Sequence, residues 1–154
     1  MMEKIIAFNK DQVAHIQLVQ KQALTFCNQI MLSAIMHDTS KFNDVEYKGF
    51  IDSRDSLRGS KDGQDDEYQK HFKTDAIQHH VLNNPHHPEF WDNVGEPMPV
   101  HEIISMFFDW RSRCIAKGGS MEDFWPYNIA KLTNQPHAIP IVEALKREYA
   151  EPNR

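Results

Sequence analysis

The segment 36–42 reads M-H-D-T-S-K-F and carries the residues best suited to metal chemistry. A neutral imidazole and an adjacent carboxylate, here His37 and Asp38, can both bind one divalent ion. Lys41 follows closely and is placed to meet an anion that such an ion attracts. The segment therefore predicts part of a metal site with a cation beside it.

A second group of histidines flanks a proline-containing turn, where residues 79–89 read H-H-V-L-N-N-P-H-H-P-E. Because proline disfavours helix in the residue before it, a helix should end here, and the turn can bring imidazoles from both sides to one centre. We expect at least one of His80, His86 and His87 to bind the metal. Glu89 would orient a ligand or act as a base. Hydrogen bonds from these histidines to loop carbonyls are the alternative.

His15 and Asp109 complete the candidate ligand set, because a metal site needs at least three or four ligands. His15 lies on the same helical stretch as His37 or on the helix before it, at the edge of an apolar stripe. Asp109 follows two phenylalanines in a later apolar helix. Asp109 also lies one turn from Arg113, so an exposed ion pair would explain it without a metal.

Helical periodicity dominates the chain, and no alternating strand pattern stands out. We predict an all-α fold: a single compact domain over residues 1–154, with about five to seven helices. Apolar residues in steps of three and four predict one buried stripe on the first helix, at Ile16, Val19, Ala23, Phe26, Ile30 and Ala34. The polar stretch 52–66 predicts an exposed loop.

Capping and turn residues predict where the helices begin and end. The first predicted helical run covers 9–36 with Asn9 as its N-cap, either as one helix or as two divided near Asn28. The others are a helix opened by Asn43, one ending before Pro85, one from Pro99 to about 117, short pieces beginning at Ser120 and Pro126, and a last one from Pro140 to about Tyr149.

Net charge, cysteine count and hydropathy argue against several classes of protein. The net charge of −5, with histidine neutral, argues against a partner as extended and acidic as nucleic acid. The two cysteines form no CxxC pair, which argues against a thiolate zinc site or a disulfide framework. No apolar stretch is long enough to span a membrane, and no secretory signal is visible. We expect a cytoplasmic protein without a membrane partner, and self-association (a homo-oligomer) stays open.

The histidine and aspartate pattern resembles the HD-domain metal-dependent phosphohydrolases, including small HD-like proteins of bacteria and phages. That family has a histidine on an early helix, an adjacent His-Asp pair, in some members two further histidines, and a distant aspartate. The resemblance covers about 9–117 and implies an HD-like helical bundle with one or two ions. It implies a first ion held by His15, His37, Asp38 and Asp109, a second held by His80, His86 and His87, and Lys41 on a substrate phosphate. The spacing from His15 to His37 is short for the family.

The resemblance implies hydrolysis of a nucleotide or another small phosphorylated metabolite. A divalent ion (Mn, Fe, Co, Zn or Ni) would lower the pKa of bound water to about 7. Asp38, Lys41 and Glu89 are the candidate catalytic residues. Two alternatives remain: a di-iron oxygenase of the HD type, and a non-catalytic metal-containing module that binds a nucleotide.

Overall fold

Seven helices and two short 3-10 turns account for the secondary structure of the described residues. The computed structural model describes residues 1–59, 66–116 and 118–149, with the side chains of 52–59 and 66–74 left out. The helices are α1 (Met2–Met36), α2 (Asp44–Gly59), α3 (Asp66–Asn83), α4 (Pro88–Val94), α5 (Val100–Ala116), α6 (Met121–Ala130) and α7 (Ile139–Tyr149). The 3-10 turns are Thr39–Phe42 and Pro136–Ala138. No strand occurs in these ranges, and the predicted all-α fold is confirmed.

Helix α1 is longer and more exposed than the sequence predicts. It begins at Met2 rather than at Asn9, and its 35 residues extend about 52 Å. None of its residues is buried. The predicted buried stripe is therefore wrong for this chain, since Ile16 and Val19 are each 53% exposed. Helix α1 is longer than the helices that could pack against it, so most of its apolar residues remain at the surface.

The C-terminal end of α1 docks on α5. Ser33 donates a hydrogen bond to the Glu102 carboxylate at 2.9 Å. Ile30 of α1 and Phe108 of α5 line the same groove. Because this end of α1 is fixed on α5, the residues directly after the helix are held beside α5 as well.

Helix α5 supplies the largest share of the buried core. Ile103 and Phe107 are fully buried, as predicted, whereas Val100 and Ile115 of the same predicted face are roughly half exposed. Gly118 takes φ 66° just beyond the helix, a backbone conformation that favours glycine and stops the helix there. The buried residues packed around α5 come mostly from later in the chain: Met98, Met121, Leu132, Ala138 and Val142.

Helix α2 begins where the sequence predicts but extends into the predicted loop. The Glu46 N–H donates to Asn43 Oδ1 at 3.0 Å, so Asn43 caps the helix. The helix continues to Gly59, which makes the loop prediction wrong for 52–59. Residues 60–65 of that predicted loop lie outside the described residues.

A tight turn joins α3 to α4. Helix α3 ends at Asn83, which confirms the predicted end before Pro85. The His87 N–H donates to the Asn84 carbonyl at 3.0 Å, and Pro88 is the first residue of α4, where its missing N–H has no helical partner to lose. The two helices are thereby held close at a fixed angle.

The last helices begin close to their predicted starts. Ser120 caps α6, and its N–H donates to Asp123 Oδ2 at 3.2 Å in a capping box. Pro126 does not begin a separate helix but lies inside α6. Helix α7 begins at Ile139, one residue before the predicted Pro140. None of the helices in the described ranges is both long and apolar enough to cross a membrane.

Candidate metal centre

A turn directly after α1 presents His37 and Asp38. Asp38 has φ 58°, and it is the one non-glycine residue with positive φ in the described chain. Backbone of this kind costs free energy, least for Asp and Asn, and clusters at functional sites. The turn brings the His37 side chain to Asp109 of α5 and the Asp38 side chain to His80 of α3.

The turn between α3 and α4 contributes three buried imidazoles. His80 lies in the last turn of α3, and His86 and His87 lie within the turn itself. Their exposed fractions are 4%, 3% and 8%. The ring centroids of His86 and His87 are 4.3 Å apart, and those of His80 and His87 are 4.8 Å apart. Three buried imidazoles this close together could all bind one ion.

The first candidate ligand group consists of Asp38, His80, His86 and His87. One ligand atom from each lies within 4.8 Å of every other. The Nε2 atoms of His80 and His87 are 3.1 Å apart, and Asp38 Oδ1 lies 3.0 Å from His80 Nε2. Two ligands at about 2.1 Å from one ion lie about 3.0–3.4 Å apart, depending on the coordination angle. The separations that His80 makes with His87 and with Asp38 therefore fit ligands of one ion.

Two atoms of this group have no hydrogen-bond partner among the described residues. Asp38 Oδ1 and His86 Nε2 are both buried and both lack a hydrogen bond of acceptable geometry, although they lie 3.5 Å apart. Buried polar atoms are normally paired, and those that are not deserve an explanation such as an ion. An ion between them would satisfy both atoms, so the donor set fits a divalent metal.

The second candidate group consists of His37, His86 and Asp109. His37 Nε2 lies 3.2 Å from Asp109 Oδ1 and 3.3 Å from Asp38 Oδ2. Arg113 also contacts Asp109, with its Nε donating to Oδ1 at 3.0 Å. The ion pair considered from the sequence is thus present, but Asp109 is buried and faces the imidazoles as well.

The surroundings favour the protonation state that a metal ligand requires at His87, Asp109 and Asp38, but not at His37. Burial, reinforced by the neighbouring histidines, lowers the pKa of His87 to about 2, which leaves a free lone pair. Burial of Asp109 opposes its charge, but the His37 hydrogen bond and Arg113 outweigh this and lower its pKa to about 2. Burial also opposes the charge of Asp38, but the contacts of His37 and Lys41 with its Oδ2 help to hold the pKa of Asp38 well below its usual range. Hydrogen bonds to Asp109 and Asp38 raise the pKa of His37 to about 9, so an ion must displace a proton there.

Glu46 is the site residue that sequence reasoning missed. Its side chain is fully buried, and Oε2 accepts a hydrogen bond from His80 Nδ1 at 2.9 Å. Burial works against its charge, yet hydrogen bonds from His79, Ser40 and His80 lower the pKa of Glu46 below its usual value. The carboxylate can then only accept, which favours the His80 tautomer with its proton on Nδ1. In that tautomer the lone pair of Nε2 is available to an ion.

A hydrogen-bond network holds Glu46 in place. Ser40 Oγ donates to Glu46 Oε2 at 2.8 Å, and His79 Nδ1 donates to Oε1 at 2.8 Å. Asn84 Nδ2 in turn donates to Ser40 Oγ at 2.7 Å. The network connects α2, α3 and both turns, so it fixes the orientation of the His80 ring. The sequence shows Glu46 only as a residue with capping-box spacing from Asn43. That spacing gives no sign that its carboxylate accepts a hydrogen bond from His80.

The structure does not bring His15 to these residues. Both histidines of the predicted pair belong to one stretch, and His15 lies about six helical turns, or roughly 33 Å, before His37. A rigid helix keeps them apart, so the predicted inclusion of His15 is corrected. The predicted grouping changes too, because Asp38 joins His80, His86 and His87, which leaves His37 with Asp109.

Lys41 and Glu89, the other predicted catalytic residues, have different surroundings. Lys41 donates to Asp38 Oδ2, so its ammonium lies directly beside the ligand group. Glu89 lies in the first turn of α4, and its buried Oε2 has no hydrogen-bond partner among the described residues. Neither candidate ligand group includes Glu89.

Comparisons of the chain with curated proteins and with solved structures find no match. The model of one protein family, described as a family of unknown function, matches residues 4–148. This match covers nearly the whole chain of 154 residues. The chain therefore belongs to the family of unknown function DUF5662.

Proposed function

We propose that this protein is a divalent-metal-dependent phosphohydrolase that acts on a nucleotide or another small phosphorylated metabolite. The observation that carries the proposal is the pair of buried atoms Asp38 Oδ1 and His86 Nε2, which lack hydrogen bonds and point to the same place as two further imidazoles. The resemblance to HD-domain phosphohydrolases supports the reaction class. Imidazole and carboxylate ligands suit Mn, Fe, Co, Zn or Ni.

Asp38 gives the proposed centre room for a second ion. Its Oδ1 faces the first ligand group, and its Oδ2 lies 3.3 Å from His37 Nε2. A single imidazole nitrogen binds one ion, so His86 can serve only one of the two groups. With His86 in the first group, His37, Asp109 and Asp38 Oδ2 would be the residues that hold a second ion.

The chain's own residues supply the rest of the chemistry. A bound divalent ion lowers the pKa of water and stabilises negative charge on phosphoryl oxygens. Lys41 adds a positive charge next to Asp38, where a phosphate oxygen would approach. Glu89 keeps a buried carboxylate oxygen without a hydrogen-bond partner in the described chain, and we assign it the role of proton acceptor.

The proposal includes self-association through α1. Exposed residues repeat there in alternating steps of three and four, the seam spacing of a two-stranded coiled coil: Ile6, Asn9, Val13, Ile16, Gln20 and Ala23. Polar seam residues can pair with their own counterparts in a second copy, which favours an identical partner. Light scattering should give a dimer mass, and Ile16→Glu should shift it to the monomer. A monomer at all concentrations in the unsubstituted protein would exclude this part.

A cytoplasmic location is also part of the proposal. Cys27 and Cys114 form no disulfide with each other. Cysteines that are not joined in disulfides are typical of a reducing compartment.

Elemental analysis of the purified protein, joined to phosphate release from a panel of nucleotides and sugar phosphates with added Mn²⁺ or Co²⁺, tests the function. One or two ions per chain and release from a defined substrate are expected. Asp38→Asn should lose both, and the matched control Asp44→Asn, at an exposed carboxylate, should lose neither. Bound iron with oxygen consumption and no phosphate release would indicate the oxygenase alternative. Metal and nucleotide binding without turnover would indicate the non-catalytic module.

A further inference from the structure

A cavity of about 260 Å³ adjoins the candidate metal centre. His87 and Asp109, which belong to the two candidate ligand groups, form part of its wall. The remaining wall comes from α5, α6 and the residue that follows α6. Its volume is slightly below the range of about 300–1,000 Å³ that is usual for ligand sites, so it suits only the organic part of a small metabolite.

Two cations line this cavity. Arg113 uses Nε to bond Asp109, while the four N–H groups of its terminal nitrogens make no hydrogen bond within the described residues. The Lys131 ammonium lies 4.9 Å from the ring centroid of Tyr127, also on the wall. Positive charge next to a metal centre favours an anionic ligand such as a phosphate ester.

Asn128 is the neutral polar residue of the cavity wall. The residue is 7% exposed, and it lines the cavity between Tyr127 and Lys131. A side-chain amide on a cavity wall is available to a ligand. An amide presents a donor and an acceptor side by side, and it pairs with a ring edge that carries the complementary donor and acceptor. Tyr127 and Phe124 provide aromatic surface in the same cavity, against which a planar ring can stack.

We propose that this cavity binds the organic part of the substrate, a planar ring with an adjacent donor and acceptor such as a nucleobase, and that Asn128 determines which ring is accepted. The inference rests on the proposed phosphohydrolase function for its reaction, but the binding of the ring does not require turnover. Arg113 and Lys131 hold the phosphate between the ring and the metal centre.

The first arm of the test measures kcat/KM of the metal-loaded protein for nucleoside monophosphates and for phenyl phosphate, whose ring lacks such an edge. We expect one nucleotide to be preferred, and Asn128→Ala to reduce kcat/KM for it by about 10- to 100-fold. The loss with phenyl phosphate should be much smaller than the loss with the nucleotide, since that ring gives Asn128 nothing to pair with. Asn128→Asp, which keeps the shape but loses both donors, should change the preference among the bases. The control is Asn134→Ala, at an exposed asparagine that bonds Asp92.

The second arm measures binding of the unphosphorylated nucleosides by ligand-observed NMR. Binding that Asn128→Ala weakens supports the cavity assignment even if no phosphate is released, in which case the phosphohydrolase proposal alone fails. Turnover with equal losses on nucleotides and phenyl phosphate, or with no base preference, overturns the inference and leaves the hydrolase intact. Absence of nucleoside binding to the folded, metal-loaded protein also overturns it.

Discussion

Replacing Glu46 gives the sharpest test of the metal centre, because this residue touches no proposed ion yet should control its affinity. In Glu46→Gln one carboxylate oxygen becomes an amide nitrogen. Oε2 receives two hydrogen bonds, from His80 and Ser40, while Oε1 receives one from the partly exposed His79. The amide nitrogen should therefore face His79, whose ring can change its tautomer. His80 keeps its acceptor but loses the negative charge behind it.

The expected loss of metal affinity follows from this geometry. Removing a partner of a ligating histidine costs about 10- to 100-fold in affinity. Glu46→Gln keeps the hydrogen bond and should fall near about 10-fold, or about 1.4 kcal/mol. Glu46→Ala leaves His80 free to adopt the wrong tautomer and should reach about 100-fold. It also leaves three donors without their acceptor, which should cost about 1–3 kcal/mol of stability.

The assay is a competition titration of Zn²⁺ against a chromophoric chelator, with far-UV circular dichroism to verify that each variant is folded. Glu122→Gln is the matched control, because the Glu122 side chain is 73% exposed and pairs with Lys146 far from the histidines. Wild-type affinity in both folded Glu46 variants would refute the reasoning, since the Glu46–His80 hydrogen bond would then have no bearing on the ligand.

Three further predictions address the ion, the cation beside it and the core. Saturating metal should raise Tm by about 5–10 °C over chelator-treated protein, and Asp38→Ala should remove this shift with nearly unchanged helical content; a shift that survives in Asp38→Ala would contradict the site. Lys41→Ala should retain the ion but lower kcat/KM for a phosphorylated substrate by about 10- to 100-fold, and unchanged kinetics would remove Lys41 from the mechanism. Phe107→Ala should cost about 3–5 kcal/mol in urea unfolding, because Phe107 is fully buried, whereas Phe42→Ala, at an 80% exposed residue, should stay within about 0.5 kcal/mol.

The sequence predicts where helices begin and end more accurately than it predicts which residues are buried. Asn43 and Ser120 cap helices as expected, because a cap depends on a few neighbouring residues. Burial depends on what the rest of the chain can cover. Ile16 and Phe107 both lie in apolar stripes of helical period, yet the first is 53% exposed and the second is fully buried. Periodicity identifies the face that favours burial, but it does not say whether a partner is present within the same chain.

The same distinction applies to the candidate metal centre, where local sequence identifies several residues but tertiary packing decides which of them lie together. The sequence identified His37, Asp38 and the histidines near Pro85 because each set lies in a turn that ends a helix, where side chains can leave the helix axis together. It could not give the grouping, which depends on how the two turns face each other across α2, α3 and α5. The resemblance placed His15 in the site because that family has a histidine on an early helix. Once α1 is one continuous helix, its rise of about 1.5 Å per residue alone excludes His15 from the site. Glu46 shows the converse, since a residue whose N–H serves a local cap can direct its carboxylate to a distant ligand. Two residues far apart on one continuous helix can therefore be excluded as ligands of the same ion from the sequence alone. Residues that hydrogen-bond to a ligand, such as Glu46, are identified only from the tertiary packing.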